Sequence, residues 1–291
     1  MSNQDLTYNL VGVPEKAYAD SYIHRYIDGV LEWDIFDRAM QDKVNILIEG
    51  EAGTGKTIAV QSYASARGYR YFNVSNNNST EPSELFGTWI PTPDGKYRWQ
   101  DGAVTQLVRN GGVLLLNEIR FLPERVSTVL FSLLDYRREI QLMNNGGEVV
   151  KAHPNLLIVA DMNDLKYRGG RELNQAFSDR FGIKLEFPYD RAIEKKLIKY
   201  NSVLTLADQL RAQYDKEELS NPISTRGLVD LVRNAERFGL DFALTSFTNG
   251  FNKDERGGVR LACETHKENI LMDMGHAVSL NRGTERVERG F

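Results

Sequence analysis

A glycine-rich stretch that ends in lysine and threonine is the part of this sequence with the clearest chemical meaning. Residues 50–57 read G-E-A-G-T-G-K-T, which fits the pattern G-x-x-x-x-G-K-[ST] of a phosphate-binding loop. Its glycines let the backbone curl so that several N–H groups point at phosphate oxygens. Lys56 would add a positive charge at the β and γ phosphates, and the Thr57 hydroxyl would be a ligand for Mg²⁺. The pattern predicts binding of ATP with Mg²⁺ by Gly50, Glu51, Ala52, Gly53, Thr54, Gly55, Lys56 and Thr57.

The apolar run 112–118, G-V-L-L-L-N-E, ends in two polar residues that suggest hydrolysis. A nucleotide hydrolase needs a carboxylate that orients Mg²⁺ at such a strand end, and then a base that activates water. Glu118 is well placed as the base, whereas Asn117 stands where an Asp is expected. The Asn117 amide oxygen can accept a hydrogen bond from a Mg²⁺-bound water, but it brings no charge, so we expect weaker metal binding. Two alternatives stay open: a buried strand with a polar end, and a protein that binds nucleotide without hydrolysing it.

Five short apolar runs in the first two-thirds of the chain have strand length and no helical period. They cover residues 44–49, 69–74, 113–117, 156–160 and 183–187. Segments that can form helices separate them, for example 56–66 and 124–138. This alternation predicts an α/β fold with a mainly parallel sheet and helices on both of its faces.

The pattern changes about two-thirds of the way along the chain, after a proline, where helical spacing continues without strand signals. We therefore predict an α/β core over residues 1–188, a small helical domain over 189–251 and a polar, weakly ordered tail over 252–291. Within the core, residues 88–99 alternate around an Asp-Gly pair, which is a strong signal for a β-hairpin.

The composition is that of an ordinary globular protein. The 291 residues include 41% hydrophobic residues and carry a net charge of −4, which argues mildly against general nucleic-acid binding. Cys263 is the single cysteine, so no intrachain disulfide can form and a reducing compartment is expected. The N-terminus lacks the pattern of a signal peptide, and no apolar run approaches the ~20 residues of a membrane span. We expect a cytoplasmic protein with no membrane partner.

Seven sequence blocks occur in a defined order between residues 44 and 251. They are GEAGTGKT (50–57), EPSELFGTW (81–89), RWQDGAVTQLVRNGGVLLLNE (98–118), LLDYRREIQL (133–142), VVKAHPNLLIVADMND (149–164), LNQAFSDRF (173–181) and ISTRGLVDL (223–231). Their order and spacing resemble the AAA+ ATPase superfamily, in particular its MoxR-type branch and the CbbQ/NorQ group of that branch. The resemblance implies a P-loop AAA+ core followed by a small α-helical lid domain.

The resemblance implies roles for three further residues. Asn163 matches the sensor-1 residue, which helps to position the attacking water. Arg180 matches the arginine finger, which reaches the ATP of the neighbouring subunit. Arg226 matches sensor 2, through which the lid contacts the γ phosphate. Without the surrounding motifs, an Asn after a strand would be interpreted as a turn residue and a lone Arg as a surface charge.

The resemblance also gives expectations for two hairpins and for residue 117. The hairpin at 88–99 matches an insert in the second helix that faces the ring pore in relatives. Residues 138–150 match a second hairpin that precedes sensor 1. Asn117 departs from the family pattern, which puts the rate of hydrolysis in doubt but not the fold.

The function implied by the resemblance is an ATP-hydrolysing ring, a hexamer, that remodels or activates a partner protein. Relatives in the CbbQ/NorQ group work with a separate partner that carries a von Willebrand A domain. One alternative is a nucleic-acid-directed motor, against which the acidic net charge argues; salt-sensitive stimulation of the ATPase by DNA would support it. The other alternative is a nucleotide-binding scaffold with little hydrolysis, which Asn117 favours.

Overall fold

The computed structural model describes residues 11–75, 81–163 and 173–275. The chain divides into two compact units, Met1–Ile193 and Glu194–Phe291, so the division falls shortly after the boundary predicted at residue 188. Across these described ranges, no helix combines the length and the apolar character needed to cross a membrane.

The first unit contains the elements of an α/β domain in the following order. It opens with α1 (Lys16–Asp20), β1 (Tyr26–Ile27), β2 (Val30–Leu31) and α2 (Glu32–Asp42). The next elements are β3 (Ile46–Glu49), α3 (Lys56–Arg67), β4 (Tyr71–Ser75), α4 (Pro82–Phe86), β5 (Gly87–Pro91), β6 (Tyr97–Asp101) and α5 (Ala103–Asn110). The last are β7 (Gly112–Asn117), a 3₁₀ turn (Ile119–Phe121), α6 (Glu124–Leu134), β8 (Glu139–Leu142), β9 (Glu148–Lys151), β10 (Leu156–Met162), α7 (Gln175–Ser178) and β11 (Ile183–Glu186).

Five strands of this unit form one parallel sheet in the order β11-β3-β10-β7-β4. Ala160 of β10 pairs with Leu47 of β3 on one side and with Leu116 of β7 on the other. Successive side chains of a strand point to opposite faces. One face packs against α2 and α3, and the other packs against α5 and α6. The predicted α/β fold with helices on both faces of a parallel sheet is therefore confirmed, and the carboxyl ends of its strands meet at one edge.

Two antiparallel hairpins lie at the positions where the sequence suggested them. Strands β5 and β6 pair so that Trp89 lies opposite Trp99, and the two ring centroids are 5.9 Å apart in an edge-on arrangement. Strands β8 and β9 form the second hairpin. Trp89 Nε1 donates to the carbonyl oxygen of Asn144 at 2.8 Å, so the first hairpin is hydrogen-bonded to the turn of the second.

The second unit is helical. Helix α8 (Arg191–Leu197) crosses the division, and α9 (Asn201–Asp215), α10 (Thr225–Phe238), α11 (Leu240–Asn249) and α12 (Arg256–Asp273) follow. A buried ion pair connects three of these helices. Arg211 of α9 donates to both carboxylate oxygens of Glu194 in α8, at 2.9 and 2.7 Å. The Thr225 hydroxyl at the start of α10 donates to the same carboxylate at 2.6 Å.

The polar tail predicted from residue 252 is wrong for residues 256–273, which form α12. Val259, Ala262, Cys263 and Ile270 recur at helical spacing and are buried in the core of the second unit. The helix was not recognised in the sequence because its other faces are polar and two glycines lie in its first turn. Packing of one apolar face outweighs a weak helical propensity. Residues 276–291 lie outside the described residues.

Replacing Ile270 by Ala is expected to lower the free energy of unfolding of the second unit by about 2–5 kcal/mol, because the substitution leaves a cavity in a closed core. Ile270 is 0% exposed. Leu261, on the same helix, is 70% exposed, so Leu261→Ala is the control and should change stability by less than about 0.5 kcal/mol. Urea unfolding of both variants measures the difference, and equal midpoints would contradict the packing of α12.

Candidate active site

The predicted phosphate-binding loop connects the end of β3 to the start of α3. Gly53 and Gly55 have φ angles of 76° and 98°, in the left-handed region that favours glycine. A Cβ atom on Gly50 would lie 2.3 Å from the carbonyl oxygen of Phe187, so this position has no room for a side chain. The loop therefore has the tight curl that directs backbone N–H groups at a phosphate, next to the positive N-terminal end of α3.

Two side chains that sequence analysis missed hold this loop in place. Arg25 is buried and donates to the carbonyl oxygens of Thr54, at 3.1 Å, and Pro188, at 3.0 Å. The Tyr189 hydroxyl donates to the carbonyl oxygen of Ala52 at 2.9 Å. Both contacts join the loop to segments that are distant in sequence, and the acceptor on the loop is a backbone carbonyl in each case, so no sequence motif marks them.

The lysine of the loop is folded back onto the protein. Lys56 is 7% exposed, and its ammonium donates to the carbonyl oxygens of Gly50, at 2.7 Å, and Glu51, at 3.0 Å. It also donates to Oδ1 of Asn163 at 2.9 Å. Burial lowers the pKa of Lys56, and the nearby carboxylates oppose that shift. An ammonium has three donors, so a phosphate oxygen must displace one of these acceptors in order to bind.

The predicted base is held through its backbone and through its side chain. Nδ2 of Asn163 donates to Oε1 of Glu118 at 2.5 Å, and the Glu118 N–H donates to Oδ1 of Asp161 at 2.7 Å. The backbone of Glu118 has φ 56° and ψ 53°, a conformation that is uncommon for residues with a side chain and recurs at functional sites. Lys56, Asn163 and Glu118 are thus joined in one hydrogen-bonded series.

A buried carboxylate beside this series was not identified from the sequence. Asp161 of β10 is 1% exposed, and its Oδ2 accepts a hydrogen bond of 3.4 Å from the Thr57 hydroxyl. The Asn117 amide is turned so that Nδ2 donates to both oxygens of Asp161, at 2.8 and 3.0 Å, because the opposite orientation would place acceptor against acceptor. Burial raises the pKa of Asp161 to about 6, against the hydrogen bond from the Glu118 backbone. The sequence feature that could have identified Asp161 is that it is a single charged residue in an otherwise apolar strand.

The oxygen atoms gathered here fit Mg²⁺. Mg²⁺ prefers oxygen ligands and is usually bound through one or two carboxylates together with substrate phosphates. The Thr57 hydroxyl and the Asp161 carboxylate supply such oxygens beside the phosphate-binding loop. Over the described residues, no group of three or more His, Cys, Asp and Glu side chains could hold a metal ion alone. This donor set therefore fits a metal ion that arrives with the nucleotide.

The structure does not bring Arg180 to the phosphate-binding loop of its own subunit. The Arg180 carbonyl oxygen accepts a hydrogen bond of 2.9 Å from Nδ2 of Asn45, which precedes β3, whereas the loop follows β3. Its guanidinium carbon lies 4.5 Å from the centroid of the Phe131 ring. Arg226 lies in the second unit near the start of α10, where it is exposed to solvent. The predicted roles of both arginines stay predictions.

Comparison with protein families places a known domain over this site. Residues 45–181 match the AAA domain of the dynein-related subfamily. This match begins just before β3 and ends just before β11, so it includes the phosphate-binding loop, Glu118, Asn163 and Arg180.

Curated relatives fall into two groups by length. Midasin from Dictyostelium discoideum is 34% identical over 153 residues, which are 52% of this chain but only 2% of midasin. The denitrification regulatory protein NirQ from Stutzerimonas stutzeri is 29% identical over 214 residues, 69% of this chain and 76% of NirQ. Protein CbbQ from Hydrogenophilus thermoluteolus is 28% identical over 220 residues, 72% of this chain and 80% of CbbQ. Residues 45–181 thus carry an AAA domain of the dynein-related subfamily, and the chain is similar to NirQ, CbbQ and NorQ, which are MoxR-type AAA+ ATPases.

Proposed function

We propose that this chain is a Mg²⁺-dependent ATPase that assembles into a hexameric ring and uses hydrolysis to remodel or activate a partner protein. The observation that carries the proposal is the hydrogen-bonded series from Lys56 through Asn163 to Glu118. It connects the cation that would bind the γ phosphate to the carboxylate that would activate water. A protein that only binds nucleotide has no need for this connection.

The geometry suggests how the site acts. The curled loop and Lys56 bind the phosphates, and Glu118 accepts a proton from the attacking water. Mg²⁺ would neutralise charge on the β and γ phosphate oxygens. Because the Lys56 donors are all engaged, a γ-phosphate oxygen would compete with Asn163 for the ammonium. Release of Asn163 would then leave its amide to position the water beside Glu118.

The remaining roles concern neighbouring elements and subunits. Arg226 would contact the γ phosphate from the helical lid, and Arg180 would act on the ATP of the adjacent subunit. NirQ is named as a denitrification regulatory protein, and a regulatory role of that kind suits a protein that activates a partner. A separate partner with a von Willebrand A domain is proposed from the resemblance to the CbbQ/NorQ group.

A phosphate-release assay combined with affinity capture tests this function. Purified protein should release phosphate from ATP only when Mg²⁺ is present. With ATP, Glu118→Gln should retain a partner from cell extract, whereas Lys56→Ala should not, because only the first variant keeps nucleotide bound. Absence of phosphate release would leave the nucleotide-binding scaffold as the better description, and retention by both variants alike would contradict ATP-dependent partner binding.

Replacing Lys56 by Ala is expected to weaken nucleotide binding at least about tenfold, or about 1.4 kcal/mol, because the ammonium that would bind the β and γ phosphates is removed. Lys184→Ala is the control, since this lysine lies exposed on β11 in the same unit. Titration calorimetry with ADP and with a slowly hydrolysed ATP analogue measures both variants. An unchanged affinity in Lys56→Ala would contradict the assignment of the loop.

A further inference from the structure

Asp161 belongs to β10, the strand that lies between the two strands leading to the predicted active site. Strand β10 is hydrogen-bonded to β3, which leads into the phosphate-binding loop, and to β7, which leads to Glu118. Asp161 pairs with Ile48 of β3, and the preceding Ala160 pairs with Leu116 of β7. The carboxyl end of β10 therefore lies between the phosphate-binding loop and the predicted base, Glu118.

The side chain of Asp161 points to the face of the sheet that carries α3. Leu157 and Val159, the alternate residues of β10, belong to the core cluster that includes α3. Side chains alternate along a strand, so Asp161 follows them on that face, where Thr57 lies in the first turn of α3. The hydrogen bond of 3.4 Å between the Thr57 hydroxyl and Oδ2 of Asp161 agrees with this placement.

The surroundings of Asp161 hold its carboxylate in position. The groups that donate to it are the Asn117 amide, the Thr57 hydroxyl and the Glu118 N–H. These three donors are all neutral, and Asp161 is the only polar residue in a strand that otherwise reads L-L-I-V-A-M. A carboxylate is costly to bury in such a strand, and Lys56, whose charge acts on Asp161, makes its own hydrogen bonds with other groups. A purely structural position at this point would favour an apolar residue.

We propose that Asp161 supplies from β10 the metal-orienting carboxylate that Asn117 on β7 lacks. A nucleotide hydrolase needs a negative charge next to the hydroxyl that Thr57 provides here. In this chain the charge is carried by β10, the strand next to β7 on the side of the phosphate-binding loop. This inference rests on the proposed binding of nucleotide with Mg²⁺. It assigns a metal-site role to a residue that the motif pattern leaves without one.

Asn117 then has a positioning role rather than being a defect. Its amide nitrogen donates to both oxygens of Asp161, which fixes the carboxylate beside Thr57. A hydroxyl can donate its proton to Asp161 while its oxygen lone pairs face a metal ion. Two carboxylates at positions 117 and 161 would repel each other at this separation, so adding an Asp at 117 alone should not improve metal binding.

The test moves the charge between the strands. Asp161→Asn removes the carboxylate, and the double exchange Asn117→Asp with Asp161→Asn returns it to β7 while keeping one acid and one amide in contact. Glu49→Gln is the control, because it removes a carboxylate from the same edge of the sheet, where Glu49 pairs with Arg120 at 3.3 Å. Two quantities are measured for each protein: Mn²⁺ affinity of the ADP complex by electron paramagnetic resonance, and ADP affinity in EDTA by calorimetry.

Asp161→Asn is expected to weaken Mn²⁺ binding about tenfold or more, because a charge beside the metal is lost, while ADP affinity in EDTA does not fall. The double exchange should restore Mn²⁺ affinity to within about threefold of the unaltered protein, and Glu49→Gln should change it less than that. Thermal melting of each variant checks that it is folded, and the double exchange tests the inference even if Asp161→Asn is unstable.

The outcomes separate this inference from the proposed function. If the unaltered protein binds ADP and Mn²⁺ but Asp161→Asn keeps its Mn²⁺ affinity, the metal role of Asp161 is wrong and the proposed function stands. If Asp161→Asn lowers the Mn²⁺ affinity and the double exchange does not restore it, the claim that the charge has moved between strands is overturned. If the unaltered protein binds no ADP under either condition, the proposed function fails and this inference fails with it.

Discussion

Glu118→Gln is expected to slow ATP hydrolysis by about 10²–10⁴-fold, the usual contribution of a general base, while nucleotide affinity stays unchanged. The carboxylate is lost but the shape is kept, because the Gln amide oxygen can still accept the hydrogen bond that Asn163 donates to Oε1 of Glu118. The backbone N–H of residue 118 still donates to Asp161. The variant therefore removes proton transfer and leaves the rest of the site in place.

Single-turnover phosphate release at saturating ATP and Mg²⁺ measures this effect, and calorimetry measures the affinity. Glu124→Gln is the matched control, since Glu124 is exposed in the first turn of α6 and loses the same charge. Turnover of Glu118→Gln at the unaltered rate would remove this residue from the mechanism. A joint loss of turnover and nucleotide affinity would instead indicate that Glu118 supports the fold of the site.

Local patterns in the sequence predicted the parts of the site that depend on short segments. The phosphate-binding loop needs glycines, a lysine and a threonine within residues 50–57, and these are contiguous. The strands of the sheet are buried on both faces, so each appears in the sequence as a short, continuous apolar run. Such a run can be recognised without knowing which strands it pairs with. Glu118 follows such a run, whereas Asn163 was assigned only through the resemblance to AAA+ ATPases; the structure joins the two by a direct hydrogen bond.

What the sequence did not predict depends on strand order and on distant contacts. Asp161 lies beside Thr57 only because β10 is inserted between β3 and β7, and chain order alone does not give that neighbourhood. Arg25 supports the loop by binding the carbonyl oxygen of Thr54, an interaction that any segment with a suitably placed donor could make. Helix α12 was missed for a different reason: its apolar residues form one narrow face, and the polar residues between them dominate the composition of the segment.

The position of Arg180 bears directly on whether the active site is shared between subunits. Arg180 precedes β11, which is parallel to β3 with Ile183 opposite Ile46, so it lies at the amino end of the sheet. The phosphate-binding loop lies at the carboxyl end, and residues 45–50 span about 16 Å at the rise of an extended strand. This separation is longer than an arginine side chain. If Arg180 contacts a γ phosphate, that phosphate belongs to another subunit.

Arg180→Ala is therefore expected to lower the ATPase rate by about 10³–10⁵-fold, the range reported for arginine fingers, without weakening nucleotide binding. A guanidinium at this position would stabilise charge that develops on the phosphoryl group during transfer. Arg137→Ala is the control, because Arg137 lies exposed in the same unit and pairs with Asp135. Specific activity of the unaltered protein should also rise with its concentration as rings form, since a head-to-tail interface joins two different surfaces.

Mixing two inactive variants tests the shared site most directly. Lys56→Ala lacks a working loop and Arg180→Ala lacks the finger, so each should be nearly inactive alone. After subunit exchange, some interfaces join the intact loop of the Arg180→Ala subunit to the intact Arg180 of the Lys56→Ala subunit, and activity should partly return. Recovery is expected to be incomplete because only a fraction of the interfaces have both intact halves. If activity per subunit stays constant down to a verified monomer and mixing restores nothing, Arg180 is a structural residue at the base of β11, held by Asn45 and packed on Phe131.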